Sequence, residues 1–226
     1  MKKKIIFVTE ALWIGGIETA LVNLLNRLDY EKYDVTCLIL RNDQTMAPRL
    51  PEQVRLLVAD RHEGVSFSRP YRWPRLYHLT EASASPSRLH RAMMWAVPAI
   101  KWVENRLYIR YIRRNLKDEQ FDTCVIYSDR AAETAVRGIR AEKYLMFYHH
   151  GSMRREYHDE IAYDRCSHIV TVSEFVARQM REFRPQYAEK VIAIHNVADV
   201  TGILQKAEQP TVQSFPQDRI NLVSCG

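Results

Sequence analysis

Ile5–Ile6–Phe7–Val8, then Thr9–Glu10–Ala11–Leu12–Trp13–Ile14–Gly15–Gly16, then Ile17–Glu18–Thr19–Ala20–Leu21–Val22–Asn23–Leu24–Leu25: this opening stretch decides the fold. The compact apolar run behind three lysines reads as a buried parallel strand, because a half-exposed antiparallel strand would alternate. Two glycines close the loop that follows. From Ile17 the pattern turns helical, with Leu21, Leu24, Leu25 and Leu28 on one face. A strand, a glycine-rich turn and a helix in that order form the start of an α/β domain.

The same rhythm continues outward. Val35–Leu40 and Val54–Val58 read as further strands, and Ala99–Lys117 as a helix. Asp122–Tyr127 reads as a strand, Ala131–Arg137 as a short helix, and Tyr144–Tyr148 as a strand ending in His149–His150–Gly151. His168–Val172 is another strand. Ser173 stands where an N-cap is needed for a helix over Glu174–Phe183, and Val191–Ile194 is the next strand. Strands separated by helices predict a parallel sheet with helices on both faces. Ligands of such sheets bind beyond the carboxyl ends of the strands. Three loops lie there: Gly15–Gly16, His149–Gly151 and His195–Asp199.

Composition narrows the class. The 226 residues suit one α/β domain or one domain plus the start of another, and 46% hydrophobic content supplies a core. Cys37, Cys124, Cys166 and Cys225 are widely spaced with no CxxC pair, so they read as reduced core thiols of a cytoplasmic protein, with no metal site. The apolar run after Met1–Lys4 is too short for an export segment, and no run reaches the roughly 18 to 20 residues that span a bilayer. The net charge of +6 fits a nucleic acid, an anionic membrane, a phosphorylated substrate or plain solubility.

Each candidate has a functional and a structural reading. Gly15 and Gly16 admit a close ligand backbone contact, or form a tight turn. They make neither a dinucleotide fingerprint nor a P-loop. Glu18 can organise the loop or bind a hydroxyl, or it simply suits a helix first turn. His149 and His150 can contact a hydroxyl or phosphate, or sit as structural histidines; His150 is preferred because Gly151 follows it. Asn196 and Asp199 can hydrogen-bond a ligand or form turns, and His195 faces the same choice. A basic, aromatic segment over 61–117 includes Arg72, Trp73, Trp95, Lys101, Trp102, Arg106 and Arg110. It suits a membrane interface, a nucleic-acid groove or a solvated helix, and nucleic acid is disfavoured because no recognition module accompanies it.

In order along the chain, five elements resemble the family 4 glycosyltransferases of the GT-B fold. Gly15–Gly16–Ile17–Glu18 with Leu21–Val22–Asn23–Leu24 is similar to the family's Gly-Gly-x-Glu loop and helix. Tyr148–His149–His150–Gly151 resembles the strand end holding a histidine near the reacting sugar. Ile169–Val170–Thr171–Val172–Ser173 resembles a later strand, and Ile194–His195–Asn196–Val197–Ala198–Asp199 the Asn-x-hydrophobic-Asp element, with Ala198 smaller than usual. Asn221–Gly226 looks like the start of a donor domain.

The resemblance implies a Rossmann-like acceptor-side domain over 1–199, an interdomain linker over 200–219, and the first strand of a missing C-terminal donor domain over 220–226. It implies a retaining hexosyltransferase of bacterial surface-polysaccharide type. The donor would be a nucleotide diphospho-sugar, the acceptor a glycan or lipid-linked species, with no cofactor and no metal. His150 would contact the sugar. Gly15, Gly16, Glu18, His149, Asn196 and Asp199 would bind substrate or line the hinge. The basic segment, Arg72 to Arg110, would face the membrane or acceptor on the inner face of the cytoplasmic membrane. The family's paired donor-domain glutamates are missing; Glu174 and Glu182 share their spacing but read as helix surface. The isolated chain is therefore expected to be inactive. The alternative is a non-catalytic binding or partner domain of a split glycosyltransferase.

Overall fold

The computed structural model describes residues 1–59, 102–103, 105–153, 160–209, 218, 220 and 222. Seven strands form one parallel sheet: β1 (Lys3–Thr9), β2 (Tyr33–Ile39), β3 (Arg55–Val58), β4 (Phe121–Ile126), β5 (Ala141–Tyr148), β6 (His168–Thr171) and β7 (Val191–Ala193). Their order is β3-β2-β1-β4-β5-β6-β7. The chain winds one way from β1 to β3, then returns to β1's other side for β4, so a topological switch point lies between β1 and β4.

The helices are α1 (Gly16–Leu25), α2 (105–116), α3 (Ala132–Gly138), α4 (Glu160–Arg165), α5 (Glu174–Phe183) and α6 (Val200–Ala207). Successive strand residues point to opposite sheet faces, and here both faces are apolar. Ile6, Val8, Cys124 and Ile126 pack with Ile112 and Leu116 of α2, Ala132 and Ala135 of α3, and Val176 and Met180 of α5. On the other face Phe7, Cys37, Ile39 and Val125 pack with Ala20, Leu21, Val22 and Leu25 of α1. Each fully buried leucine, such as Leu21 or Leu25, contributes about 1.5–3 kcal/mol. The expected α/β, Rossmann-like parallel sheet with helices on both faces is what the chain adopts. Cys37, Cys124 and Cys166 are buried thiols outside any disulfide, and burial pushes the Cys37 thiol up to about 12.

Several boundaries differ from expectation: α1 starts at Gly16, and β1, β2, β4 and β5 begin earlier than the apolar runs suggested, at Lys3, Tyr33, Phe121 and Ala141. The chain divides into compact parts at Asn196–Val197, three residues before the expected boundary. In the second part, residues read as the start of a linker form α6, because the Asp199 carboxylate accepts from the Gly202 N–H and caps it. Val200, Ile203 and Leu204 of α6 are exposed. Ile220 and Leu222, expected in a strand, are outside any strand and exposed; the rest of that segment, and most of 61–104, lie outside the described residues.

Ser173 caps α5 as expected, its Oγ accepting from the Val176 N–H at 3.3 Å. Ser173→Ala should therefore lose about 1 kcal/mol of unfolding free energy in urea titration. A change below a few tenths would show that the cap contributes nothing.

Candidate active site at the carboxyl ends of the strands

The switch point gathers side chains from four adjacent strands. Glu10 follows β1, is 5% exposed, and lies between two arginines. Arg41, after β2, reaches Glu10 Oε1 at 2.9 Å; Arg130, after β4, reaches Oε2 at 3.0 Å. Arg130 sits in a single 3-10 turn, Asp129–Ala131, between β4 and α3. Its neighbour Asp129 meets Nε2 of His150, after β5, at 3.1 Å.

The glycine loop is bolted to the segment after β2. Leu12 N–H donates to Asp43 O at 2.8 Å, and Met46 N–H to Leu12 O at 2.7 Å. Glu18 is buried and folds back against Gly15, so close that a Cβ at Gly15 would collide with its carboxylate. The Trp13 indole donates to that carboxylate. Burial, with Glu10 and Asp43 nearby, raises the Glu18 carboxyl above its ordinary value, against the pull of backbone and indole hydrogen bonds. A side chain at Gly15 would thus require the Glu18 carboxylate to move. Gly16 is different: its φ is not in the left-handed region, and a Cβ there would meet nothing within 4 Å.

The adjacent histidines face opposite sides of the sheet. His150 packs edge-on against Tyr148, with ring centroids 4.9 Å apart, on the α3 side. His149 joins Phe147 and Tyr127 on the α1 side, at 5.6 Å and 4.5 Å. Neither ring nitrogen of His149 has a hydrogen-bond partner among the described residues. Burial lowers its pKa to about 4, so the ring is neutral at pH 7. Thr9 Oγ1, on the same face, is also buried without a partner.

The other expected residues lie apart. His195 and Asn196 are exposed after the edge strand β7. With four strand spacings between β7 and β1, Asn196 sits roughly 19 Å along the sheet from the glycine loop. Asp199 belongs to the second compact part, where it caps α6. Trp102, Arg106 and Arg110 lie at the α2 surface, where Arg106 stacks over Trp102 at 4.4 Å and a groove of about 820 Å³ runs past Arg113, Glu133 and Arg137. Arg72, Trp73, Trp95 and Lys101 lie outside the described residues. Among the described residues no three His, Cys, Asp or Glu side chains could hold a metal ion, and no helix is long and apolar enough to cross a membrane.

The sequence profile of Glycosyltransferase Family 4 matches residues 14–201, from the edge of the glycine loop to Asp199 and beyond. The chain belongs to Glycosyltransferase Family 4. Among solved structures, Phytolacca americana UGT2, complexed with UDP-2fluoro-glucose and pterostilbene, is similar in fold: TM-score 0.50, 11% identity, 93% of this chain covered and 58% of that one. Anabaena Alr3699/HepE, in complex with UDP and glucose, has a TM-score of 0.46 at 12% identity, with 88% and 46% covered. The family member described here thus spans about half the length of these structures. No curated protein sequence matches it.

Glu10, Arg41, Asp129 and Arg130 were not singled out by sequence. Each lies in the polar segment that follows an apolar run at a strand's carboxyl end, as the histidines do.

The buried neutral His149 has a measurable signature. Unfolded, it takes a proton below its ordinary pKa near 6.5; folded, it does so only near 4. Stability should therefore fall as pH drops through that window and be unaffected by this group above it. His149→Phe keeps the ring stack and removes the proton site. Between pH 7 and 4.5 the wild type should lose more melting temperature than the variant; equal losses would mean the imidazole is not held uncharged.

Proposed function

We propose that this chain is the N-terminal, acceptor-side half of a retaining glycosyltransferase. In the complete enzyme a hexosyl group passes from a nucleotide diphospho-sugar to a glycan or lipid-linked acceptor in surface-polysaccharide synthesis. The observation that carries the reading is Gly16. Its backbone conformation and surroundings admit a larger residue, so the fold gives no reason for glycine. A ligand lying against the backbone does give one. The position opens α1, whose first N–H groups and positive dipole end suit a diphosphate. Family membership and the UDP-sugar bound by UGT2 support this choice of donor. On this reading His150 and His149 address the sugar and its surroundings, and Glu18 keeps the loop in shape. No cofactor or metal enters the scheme. A donor domain outside these residues clamps the leaving diphosphate, so the isolated chain is inactive.

The acceptor side is proposed to rest on the anionic inner face of the cytoplasmic membrane. Trp102, Val103 and Leu107 are exposed beside Arg106, Arg110, Arg113 and Arg114, a pairing of apolar anchors with cations that suits a lipid headgroup layer.

Two experiments test these proposals. The gene's full-length product and the 226-residue chain are assayed against a panel of sugar nucleotides with a membrane lipid extract. Turnover is expected only in the longer protein. There Gly16→Ala should cost roughly 10- to 100-fold in rate through misplacement of the donor. The same change should not lower stability, since alanine at a compatible helix position stabilises by about 0.4–1 kcal/mol. Enzyme-like turnover by the isolated chain, or undiminished rate in Gly16→Ala, would remove the basis of the reading. Separately, Arg106→Glu with Arg110→Glu should weaken cosedimentation with anionic vesicles by about tenfold or more. Unchanged sedimentation would take the membrane out of the proposal.

A further inference from the structure

Polar contacts run without interruption along four strand ends. Arg41 after β2 grips Glu10 after β1, and Glu10 grips Arg130 after β4. Arg130 and Asp129 are neighbours in one short turn, and Asp129 reaches His150 after β5. The transfer scheme above uses only the last residue of this chain.

We propose that Asp129 is a positioning residue for sugar transfer, fixing Nε2 of His150 as a hydrogen-bond donor and setting the ring's orientation, while the Glu10 clamp holds the turn from which Asp129 acts. The inference rests on the transferase reading of the site.

Chemistry fixes the direction of the contact. An ionised carboxylate only accepts, so Nε2 donates whether the ring is neutral or protonated. Nε2 is the ring nitrogen that Asp129 engages. Geometry restricts what is left: Tyr148 packs edge-on at 4.9 Å, and the Asp129 and His150 side chains are only 14% and 23% exposed. A ring held by packing on one side and by a carboxylate on another keeps one tautomer and one plane, as a group that must meet a sugar needs.

The turn carrying Asp129 is three residues long, closed by Ala131 N–H to Ser128 O at 3.0 Å and Ala132 N–H to Asp129 O. Such a turn is soft by itself. Arg130 ties it to the carboxylate buried just past β1, and Arg41 holds that carboxylate from the other side. Asp129 takes no proton and forms no bond in this scheme; it acts only through His150.

A mutant cycle in the gene's full-length product tests the inference. Asp129→Ala should lower kcat about 10- to 100-fold with little change in KM for the sugar nucleotide. Asp129→Asn, whose amide oxygen still accepts, should recover most of that loss. Asp129→Ala combined with His150→Ala should be no worse than His150→Ala alone. Multiplying effects would mean that Asp129 does not work through His150, and the proposal would be overturned. NMR of the 226-residue chain supplies a readout independent of turnover. The proton on His150 Nε2 should be visible in the wild type and lost in Asp129→Ala, whose spectrum is otherwise native. Its absence in the wild type, or its persistence in Asp129→Ala, also overturns the proposal. If the longer protein turns over no sugar nucleotide at all, the transferase reading fails while the NMR result still decides the contact, so the two failures are distinct.

Discussion

The carboxylate of Glu10 is buried just past β1, one of the two strands flanking the switch point, and is gripped from both sides. Burying an ion pair seldom stabilises a fold, because lost hydration offsets the attraction. Arg130 is half exposed, so solvent screens that side of the pair, and loss of either arginine leaves the other on Glu10. Glu10 is therefore better understood as a constraint on position than as a source of stability. Through Arg41 and Arg130 its carboxylate links the segments that follow β1, β2 and β4. The glycine loop, the segment after β2 and the turn before α3 all take their places relative to it.

The fold was legible because its strands are apolar runs of four to seven residues with helical periodicity between them. A sheet buried on both faces leaves that signature whatever its strand order. The α5 cap was legible because serine acts on a backbone N–H three residues away, a local matter. α6 escaped because its apolar residues stay exposed and a glycine interrupts them, so Gln205 to Pro216 dominated the reading. Asp199, weighed as ligand or turn former, proved to be a helix cap by the same local rule that identified Ser173.

The site was half legible for a related reason. Glycines and histidines punctuate a sequence, so Gly15, Gly16, His149 and His150 drew notice. Glu10 and Arg130 are 120 positions apart. Only the return of the chain to the far side of β1 makes them neighbours, and strand order is not written in any window of residues. Nor could sequence separate the two glycines. Their difference lies in where the Glu18 carboxylate happens to fold.

His149 and His150 read as a pair, yet the pleat sends one ring to each face of the sheet. That arrangement depends on β5 holding its alignment with β4 and β6. In a half-exposed strand a slip by one residue would put greasy side chains in water and be rejected. Here both faces are apolar, so burial alone penalises a slip weakly. What distinguishes the faces is size and hydrogen bonding. Tyr144 and Tyr148 fill one side and donate to Ile139 O at 2.6 Å and Ser152 O at 3.1 Å, while Leu145 and Phe147 on the other side are only partly buried. A chain that folded one residue out of step would keep every residue of its family signature and exchange the roles of its two imidazoles, a misfolded form invisible to any comparison of sequences.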